Sequence, residues 1–284
     1  MRQLTATSSR HYDLHSHTTA SDGLLTPSEL ILEAKERGVS HISITDHDTT
    51  DGLAEAKSAA KRIGGIEVIS GVEISCCWGS LDIHMVALDI DETNPELIEL
   101  LTLQQEKRYQ RALKIGDKLG KLGYPNCFEQ ASQLANNQTP SRPHFAQALL
   151  NQGACKTFQK AFSRYLGQGK PAYCKIEWVS MAESINVIHS AAGLAVLAHP
   201  YQYKCTISKV RRLIADFKLH GGDAIEVSTS SQTHDQITQL ATLAQTHDLY
   251  ASVGSDYHGH ASSWHQLGKY PPLPAKCRPI WELL

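Results

Sequence analysis

The histidines and carboxylates of this chain gather in a few short segments, and they are the residue types of a metal centre. The segments are His15-Ser16-His17, Asp46-His47-Asp48, Glu73, His84, His199, Glu226 and Asp256-Tyr257-His258. Alternate side chains of an extended segment share one face, so His15 and His17 can bind one ion together. Each segment alone has a simpler interpretation, since a lone Glu73 or His84 is usually a hydrogen-bonded buried group. Their joint occurrence predicts the metal centre, and mixed imidazole and carboxylate ligands suit Zn, Mn or Fe.

An alternation of strands and helices positions these segments. The predicted strands are 12–14, 41–45, 66–75, 82–88, 194–198, 223–227 and 249–253, and the predicted helices include 50–63, 206–219 and 234–247. A capping box at Thr26-Pro27-Ser28-Glu29 predicts the start of another helix. The alternation favours a parallel sheet, and periodicity does not separate a closed (β/α) barrel from a doubly wound sheet. The predicted ligands lie at or near the carboxyl ends of these strands, where both folds bind ligands.

Residues 93–168 break the alternation. This stretch has helical patterns over 94–122, 129–136, 142–152 and 156–166 and no convincing strand. We therefore expect a helical insert at 93–168, which divides the α/β domain into residues 1–92 and 169–284.

The first helix of the insert carries a basic stripe, defined as Lys107, Arg111, Lys114, Lys118 and Lys121. The steps of three and four residues place these side chains on one helix face. A neighbouring apolar stripe consists of Ala112, Ile115, Leu119 and Leu122. The basic stripe is either a solvated face over a packed one or a rail for RNA phosphates.

Composition indicates an ordinary globular protein. The 284 residues include 41% hydrophobic residues, and Lys+Arg 27 against Asp+Glu 29 gives a net charge of −2. No overall positive field attracts DNA or a membrane surface, so we expect neither DNA-specific binding nor membrane binding. The seven cysteines form no C-x-x-C pair, which favours free thiols in a reducing compartment. The polar amino-terminal segment lacks a signal-peptide core, so a cytoplasmic protein is expected. No pattern indicates an oligomeric state.

The ordered set of segments resembles the PHP (polymerase and histidinol phosphatase) family. The segments that carry the resemblance are Asp13-Leu14-His15-Ser16-His17-Thr18, Thr45-Asp46-His47-Asp48, Gly71-Val72-Glu73, Ala198-His199-Pro200 and Gly254-Ser255-Asp256-Tyr257-His258. The resemblance covers about 11–92 and 170–260. It implies a distorted, TIM-like (β/α)7 barrel, the PHP fold, with a centre of up to three divalent metals.

Carried over position by position, the resemblance implies three sets of ligands. One metal takes His15, His17, Glu73 and Asp256, a second shares Glu73 and takes His84 and His199, and a third takes Asp22, His47 and His258. Some family members have histidine at the position of Asp22, and an oxygen ligand there favours Mn, with Zn or Fe as alternatives.

The motif Ser141-Arg142-Pro143-His144-Phe145-Ala146 resembles one branch of the family. That branch includes nucleoside 3′,5′-bisphosphate phosphatases and the 5′-3′ exoribonuclease RNase AM. The resemblance implies that Arg142 and His144 bind a substrate phosphate, as the guanidinium fork suits. The alternatives are an exposed surface arginine and an ordinary residue at a helix amino terminus.

The resemblance therefore predicts a metal-dependent phosphoesterase whose partner is a nucleotide or a short RNA. Attack of a metal-bridging hydroxide on phosphorus would remove the 3′-phosphate of a bisphosphate or shorten 5′-phosphorylated RNA from its 5′ end. Glu73 and His199 are the predicted catalytic residues, and Asp46 either orients a ligand or is a turn residue. The proton donor stays open among His84, His199 and Glu226.

Two other functions compete with this prediction. A monophosphatase of the histidinol-phosphate type would not need the second anion site that Arg142 and His144 imply. A non-catalytic metal-binding module would not need the complete set of ligands. Both therefore explain less of the sequence than the nucleotide phosphoesterase does.

Overall fold

Eight strands form in the residues that the computed structural model describes, which are 10–136, 138–203, 205–259 and 266–284. They are β1 (Tyr12–Asp13), β2 (His41–Ile44), β3 (Glu67–Trp78), β4 (Leu81–Leu88), β5 (Val179–Ser180), β6 (Leu194–Leu197), β7 (Ala224–Thr229) and β8 (Tyr250–Gly254). Seven strands are neighbours in the order β1-β2-β3-β4-β6-β7-β8, and β5 pairs with β3. Leu14 N donates to Val253 O at 3.2 Å, which joins the two ends of the sheet. The sheet is a nearly closed barrel, so the predicted fold class is confirmed.

The expectation of a wholly parallel sheet is wrong at β4. This strand runs antiparallel to both β3 and β6. Only Gly79 and Ser80 separate β3 from β4, and parallel neighbours need a crossover of a dozen residues or more. Gly79 has φ +58°, a left-handed conformation that suits a tight turn. Because β4 is reversed, His84 reaches the site from the middle of a strand and not from its carboxyl end.

Helices cover the outside of the barrel. They are α1 (Pro27–Glu36), α2 (Leu53–Ile63), α3 (Pro95–Lys121), α4 (Cys127–Leu134), α5 (Arg142–Asn151), α6 (Phe158–Ala161), α7 (Met181–Ser190), α8 (Ile207–Leu219) and α9 (His234–Thr246). The capping box predicted for α1 is present, because Thr26 N donates to the Glu29 carboxylate and the Thr26 hydroxyl accepts from Glu29 N. The apolar faces of α7, α8 and α9 pack with the barrel strands in one large core.

The helices α3 to α6 lie between β4 and β5, and a π-helical turn, Phe162–Leu166, follows α6. Their buried side chains, such as Ile115, Phe145 and Leu149, form a hydrophobic cluster of their own. Separate cores favour separate folding units. The division into 1–92, 93–168 and 169–284 stays a prediction.

The apolar stripe predicted on α3 is buried except at its last residue. Ala112, Ile115 and Leu119 are buried, but Leu122 is 42% exposed and does not continue the apolar stripe. Helix α3 ends at Lys121, so Leu122 already belongs to its cap. In the basic stripe, Lys118 Nζ donates to Tyr173 O at 2.6 Å, and Lys121 pairs with Asp117 at 2.7 Å.

All seven cysteines are free thiols. Within the described ranges, no helix combines the length and the apolar character needed to cross a membrane.

Candidate metal centre and anion cleft

The predicted metal ligands meet at one end of the barrel. In four overlapping groups, the donor atoms lie within 4.8 Å of one another. The groups are His15, His17 and Asp256; His15, Glu73 and His199; His47, Glu73 and His84; and His17, Asp22, His47 and His258. All nine predicted ligands belong to at least one group. The structure therefore brings together every residue of the predicted set.

Glu73 lies at the centre of the groups. Its Oε1 is 2.8 Å from His84 Nδ1 and 3.0 Å from His199 Nε2. Its Oε2 is 3.4 Å from His15 Nε2 and 3.3 Å from His17 Nε2. Oε2 is also 2.8 Å from His47 Nδ1. The two oxygens of one carboxylate thus face different sets of imidazoles, which is the arrangement that a bridging ligand needs.

Two further carboxylates complete the outer groups. Asp256 Oδ1 lies 3.5 Å from His15 Nε2 and 3.4 Å from His17 Nε2. Asp22 Oδ1 lies 3.7 Å from His47 Nε2 and 3.4 Å from His258 Nε2. These two sets match the first and third predicted metals.

The donor atoms fit divalent cations. Glu73 Oε2 and Asp22 Oδ1 are buried, and neither finds a hydrogen-bond partner among the described residues. Buried polar atoms are rarely left unpaired, so an unpaired carboxylate oxygen among imidazole nitrogens calls for a cation. Burial raises the pKa of Glu73, but the imidazoles of His84 and His47 lower it by more, and the net pKa lies well below the usual range. The carboxylate is therefore ionised and ready to ligate.

Left-handed backbone conformations occur where strands deliver these residues. Asp48 and Asp256 both have φ 53°, and His199 has φ 29°. Such conformations cost energy in residues with a Cβ and cluster at functional sites. Gly254 packs directly against His15, and a Cβ at position 254 would lie only 2.4 Å from His15 Cβ. Its bare backbone lets the first ligand segment pack against β8.

A cationic cleft opens beside the candidate metal ligands Asp22, His47 and His84. Three arginines line it, namely Arg108, Arg111 and Arg142, together with Tyr173, Trp178 and the carboxylate of Asp82. Within the described part of the chain, Arg111 and Arg142 form no ion pair. Burial lowers the pKa of Arg111 to about 9, and repulsion from Arg108 adds to the effect. Uncompensated guanidinium groups in a polar cleft favour the binding of an anion such as phosphate.

The two residues predicted to bind phosphate are placed differently. Arg142 begins α5 and lines the cleft, as expected of a phosphate ligand. His144 is not among the described lining residues, and its Nδ1 accepts a hydrogen bond from Ser141 N at 3.0 Å. The ring proton therefore lies on Nε2, and burial lowers the pKa of His144, which keeps the ring neutral near pH 7.

Comparison with known proteins agrees with this geometry. Residues 13–178 match the PHP domain. The chain belongs to the PHP family. It is 46% identical over 273 residues to a 5′-3′ exoribonuclease of Haemophilus influenzae, covering 96% of this chain and 98% of that one. It is 41% identical to a 3′,5′-nucleoside bisphosphate phosphatase of Chromobacterium violaceum, covering 96% and 95%.

A solved structure extends the likeness to the fold. An amidohydrolase from Chromobacterium violaceum, with bound sulfate and no metal, superposes with a TM-score of 0.90 at 41% identity over 96% of this chain and 95% of that one. The predicted family is therefore confirmed, as is the predicted enzyme class, a metal-dependent hydrolase of phosphate esters.

Glu226 contacts two of the candidate metal ligands, His15 and His199. One carboxylate oxygen lies 2.7 Å from His15 Nδ1, and the other accepts from His199 N at 2.6 Å. A carboxylate on the far ring nitrogen fixes the tautomer and orientation of a ligating imidazole. Both oxygens of Glu226 are engaged, so this residue suits a positioning role better than the open role of proton donor.

We expect Glu226→Ala to lower the affinity for Mn²⁺ by about 10- to 100-fold, because it frees the ring of His15 and removes the acceptor for the backbone N–H of His199. Titration of the metal-free protein with Mn²⁺ measures the effect. Glu183→Ala, on the exposed side of α7, is the control and should bind Mn²⁺ as the unmodified protein does. An unchanged affinity in Glu226→Ala would contradict the positioning role.

Asp46 lies behind the loop that carries Asp22. Its carboxylate accepts from Thr18 N at 2.8 Å, from the Thr18 hydroxyl at 2.6 Å and from the Ser21 hydroxyl. These contacts hold the loop in place, and they favour the orienting role for Asp46 over direct participation in the reaction.

Sequence reasoning missed Arg108 and the role of Asp48. Arg108 Nε donates to Asp48 Oδ2 at 2.6 Å, and another guanidinium nitrogen donates to the Ser75 hydroxyl at 2.7 Å. A signal was present: Gln104, Arg108 and Arg111 follow at steps of four and three residues on α3, a polar row beside the apolar stripe. A polar row on the packed side of a helix indicates a site.

Proposed function

We propose that this PHP-family chain removes the 3′-phosphate from nucleoside 3′,5′-bisphosphates and, by cleaving the same bond, releases 5′-mononucleotides from short 5′-phosphorylated RNA. The observation that carries the proposal is the juxtaposition of the cleft arginines with the metal ligands Asp22 and His47. A substrate with two anionic groups satisfies both parts of the site at once. A monophosphate would leave Arg111 and Arg142 uncompensated.

The named relatives support both halves of the proposal. The relative from Haemophilus influenzae is an exoribonuclease, and the one from Chromobacterium violaceum acts on bisphosphates. The two reactions share one chemical step, in which the P–O3′ bond breaks and phosphorus gains an oxygen from water. One site can therefore serve both substrates.

The residues of the site divide the work. Arg111 and Arg142 bind the 5′-phosphate and orient the nucleotide. His15, His17, Glu73 and Asp256 would hold one metal, Glu73, His84 and His199 a second, and Asp22, His47 and His258 a third. Bound divalent metals supply Lewis acidity towards phosphoryl oxygens and lower the pKa of water. His144, with its proton on Nε2, would donate to a phosphate oxygen, and Ser141 holds its other nitrogen.

The proposal also names the preferred metal, the bounds of the substrate-binding insert and the cellular compartment. Carboxylate oxygens from Asp22, Glu73 and Asp256 beside the imidazoles favour Mn²⁺ over metals that prefer nitrogen and sulfur alone. We place the substrate-binding insert at 93–168, because Arg108, Arg111 and Arg142 all come from it. Seven free thiols are consistent with a reducing cytoplasm.

The test is an assay of two substrates side by side. With Mn²⁺, we expect adenosine 3′,5′-bisphosphate to yield AMP and inorganic phosphate, and a 5′-phosphorylated tetraribonucleotide to yield 5′-mononucleotides stepwise. Chromatography of the products identifies the bond that is cleaved. Release of adenosine 3′-phosphate would place the cleavage at the 5′ side and contradict the proposal, as would no turnover with Mn²⁺, Zn²⁺ or Fe²⁺.

Replacing the cleft arginine tests the second anion site. We expect Arg142→Ala to raise the KM for adenosine 3′,5′-bisphosphate by about 10- to 100-fold, the loss of one to two charge-assisted hydrogen bonds. Hydrolysis of a substrate without a 5′-phosphate, adenosine 3′-phosphate, should change little. Arg62→Ala, on the exposed end of α2, is the control. Equal losses on both substrates would show that Arg142 does not read the 5′-phosphate.

A further inference from the structure

A second cleft lies beside the cationic cleft. We call it the polar cleft. The two clefts share four lining residues, which are Asp22, His47, Arg108 and Ser141. Two of these, Asp22 and His47, are among the three ligands assigned to the third metal. The clefts therefore meet at the metal centre, and a molecule that lies in both must pass across it.

The polar cleft differs from the cationic cleft in chemistry. Its own side chains are mainly hydroxyls, amides and one carboxylate: Thr49, Asp51, Gln105, Gln138 and Thr139. Arg108 is its single arginine, and that guanidinium already binds Asp48 and Ser75. The walls thus offer donors and acceptors in place of spare positive charge. Such groups match ribose hydroxyls and base edges better than a terminal phosphate.

We propose that the polar cleft binds the nucleotide that follows the scissile phosphodiester of an RNA substrate. The inference rests on the proposed function. In the dinucleotide pNpN, the first nucleotide places its 5′-phosphate in the cationic cleft, and the phosphodiester lies at the junction beside Asp22 and His47. The second nucleotide, esterified through its O5′, then occupies the polar cleft.

The chemistry of this arrangement balances. Water adds to phosphorus, the P–O3′ bond breaks, and O3′ takes up a proton. The products are a 5′-mononucleotide in the cationic cleft and a second nucleotide in the polar cleft that now carries a 5′-phosphate. That product has the end group the cationic cleft recognises, so a longer chain can move by one nucleotide and react again. A bisphosphate leaves the polar cleft without a nucleotide.

The experiment fills the polar cleft from either wall and compares two substrates. Thr139→Trp places a large ring on the insert side, and Ala20→Trp places one on the loop that follows β1. We expect each to lower kcat/KM for the 5′-phosphorylated diadenylate pApA at least about tenfold, mainly through KM. Hydrolysis of adenosine 3′,5′-bisphosphate should stay within about twofold, since a factor of two is only about 0.4 kcal/mol. Thr139→Ser, which keeps the cleft open, should match the unmodified protein on both substrates.

The outcomes separate the polar cleft from the proposed function. Parallel changes on both substrates in both tryptophan variants, or no change on pApA, overturn the assignment of the cleft. If the unmodified protein hydrolyses the bisphosphate and leaves pApA intact, the assignment fails and the phosphatase half of the proposed function stands. If it hydrolyses neither, both fail. Circular dichroism shows which variants have folded, and either tryptophan variant alone is sufficient for the comparison.

Discussion

Glu73→Gln is expected to lower kcat/KM for adenosine 3′,5′-bisphosphate by at least about 10³-fold, a loss at the upper end of what a single electrostatic group contributes in other enzymes. The reason is the position of the carboxylate between two sets of imidazoles. Oε1 faces His84 and His199, and Oε2 faces His15, His17 and His47. Glutamine keeps the size of the side chain but offers one neutral oxygen and an NH₂ group that cannot ligate. One substitution therefore disturbs two metal positions.

Metal content provides the second measurement for Glu73→Gln. We expect elemental analysis to find fewer bound metals per chain, with an unchanged circular dichroism spectrum. Glu67→Gln is the matched control, since Glu67 lies on the same strand with its side chain 72% exposed. Full metal content with turnover within tenfold of the unmodified protein would contradict the bridging role of Glu73.

The sequence was sufficient to predict that the candidate ligands lie together, because nearly all of them directly follow or lie within a strand. Strand ends are read from local patterns of apolar residues, and the sheet then brings those ends together, as it does for His15, His47 and His199. The antiparallel direction of β4 could also have been predicted from the sequence. The predicted strands 66–75 and 82–88 leave only six residues between them, and a crossover between parallel neighbours needs a dozen or more.

The clefts could not be predicted in the same way. Their walls combine the insert with barrel loops, and the approach of Arg108 to Asp48 joins residues 60 positions apart. The polar row of Gln104, Arg108 and Arg111 indicates that Arg108 belongs to a site, but the row does not identify Asp48 as its partner, because that contact depends on how α3 packs against the barrel. The polar cleft depends on Thr139 and Gln138, in the loop before α5, which form no motif.

Helix α3 is tied to the metal centre by a short network. Gln105 donates from its amide to Asp48 O at 3.0 Å, and Gln104 donates to Ser75 O. Asp48 in turn accepts from Ser75 N at 2.7 Å, and Asp48 N donates to Glu73 O at 2.9 Å. Ser75 and Glu73 are both on β3, so the insert forms hydrogen bonds with the strand that carries Glu73.

Arg108→Met is expected to destabilise the protein by about 3–5 kcal/mol, the cost of removing one partner from a buried ion pair. Asp48 is fully buried, and methionine keeps most of the volume of the arginine stem but leaves this carboxylate without its cation. Urea unfolding of the metal-free protein measures the loss. Lys107→Met, one residue earlier on α3, is the control and should change the free energy of unfolding by less than about 0.5 kcal/mol.

A double-mutant cycle separates the ion pair from the loss of packing. Asp48→Asn removes the charge that Arg108→Met leaves unpaired, so the double variant should be more stable than Arg108→Met alone. Arg108→Lys should be intermediate, because an ammonium group cannot reach Asp48 and Ser75 with the geometry of the guanidinium fork. If the losses in the free energy of unfolding simply add in the double variant, the contact between Arg108 and Asp48 has no interaction energy of its own. The insert would then be held to β3 by Gln104, Gln105 and apolar packing alone.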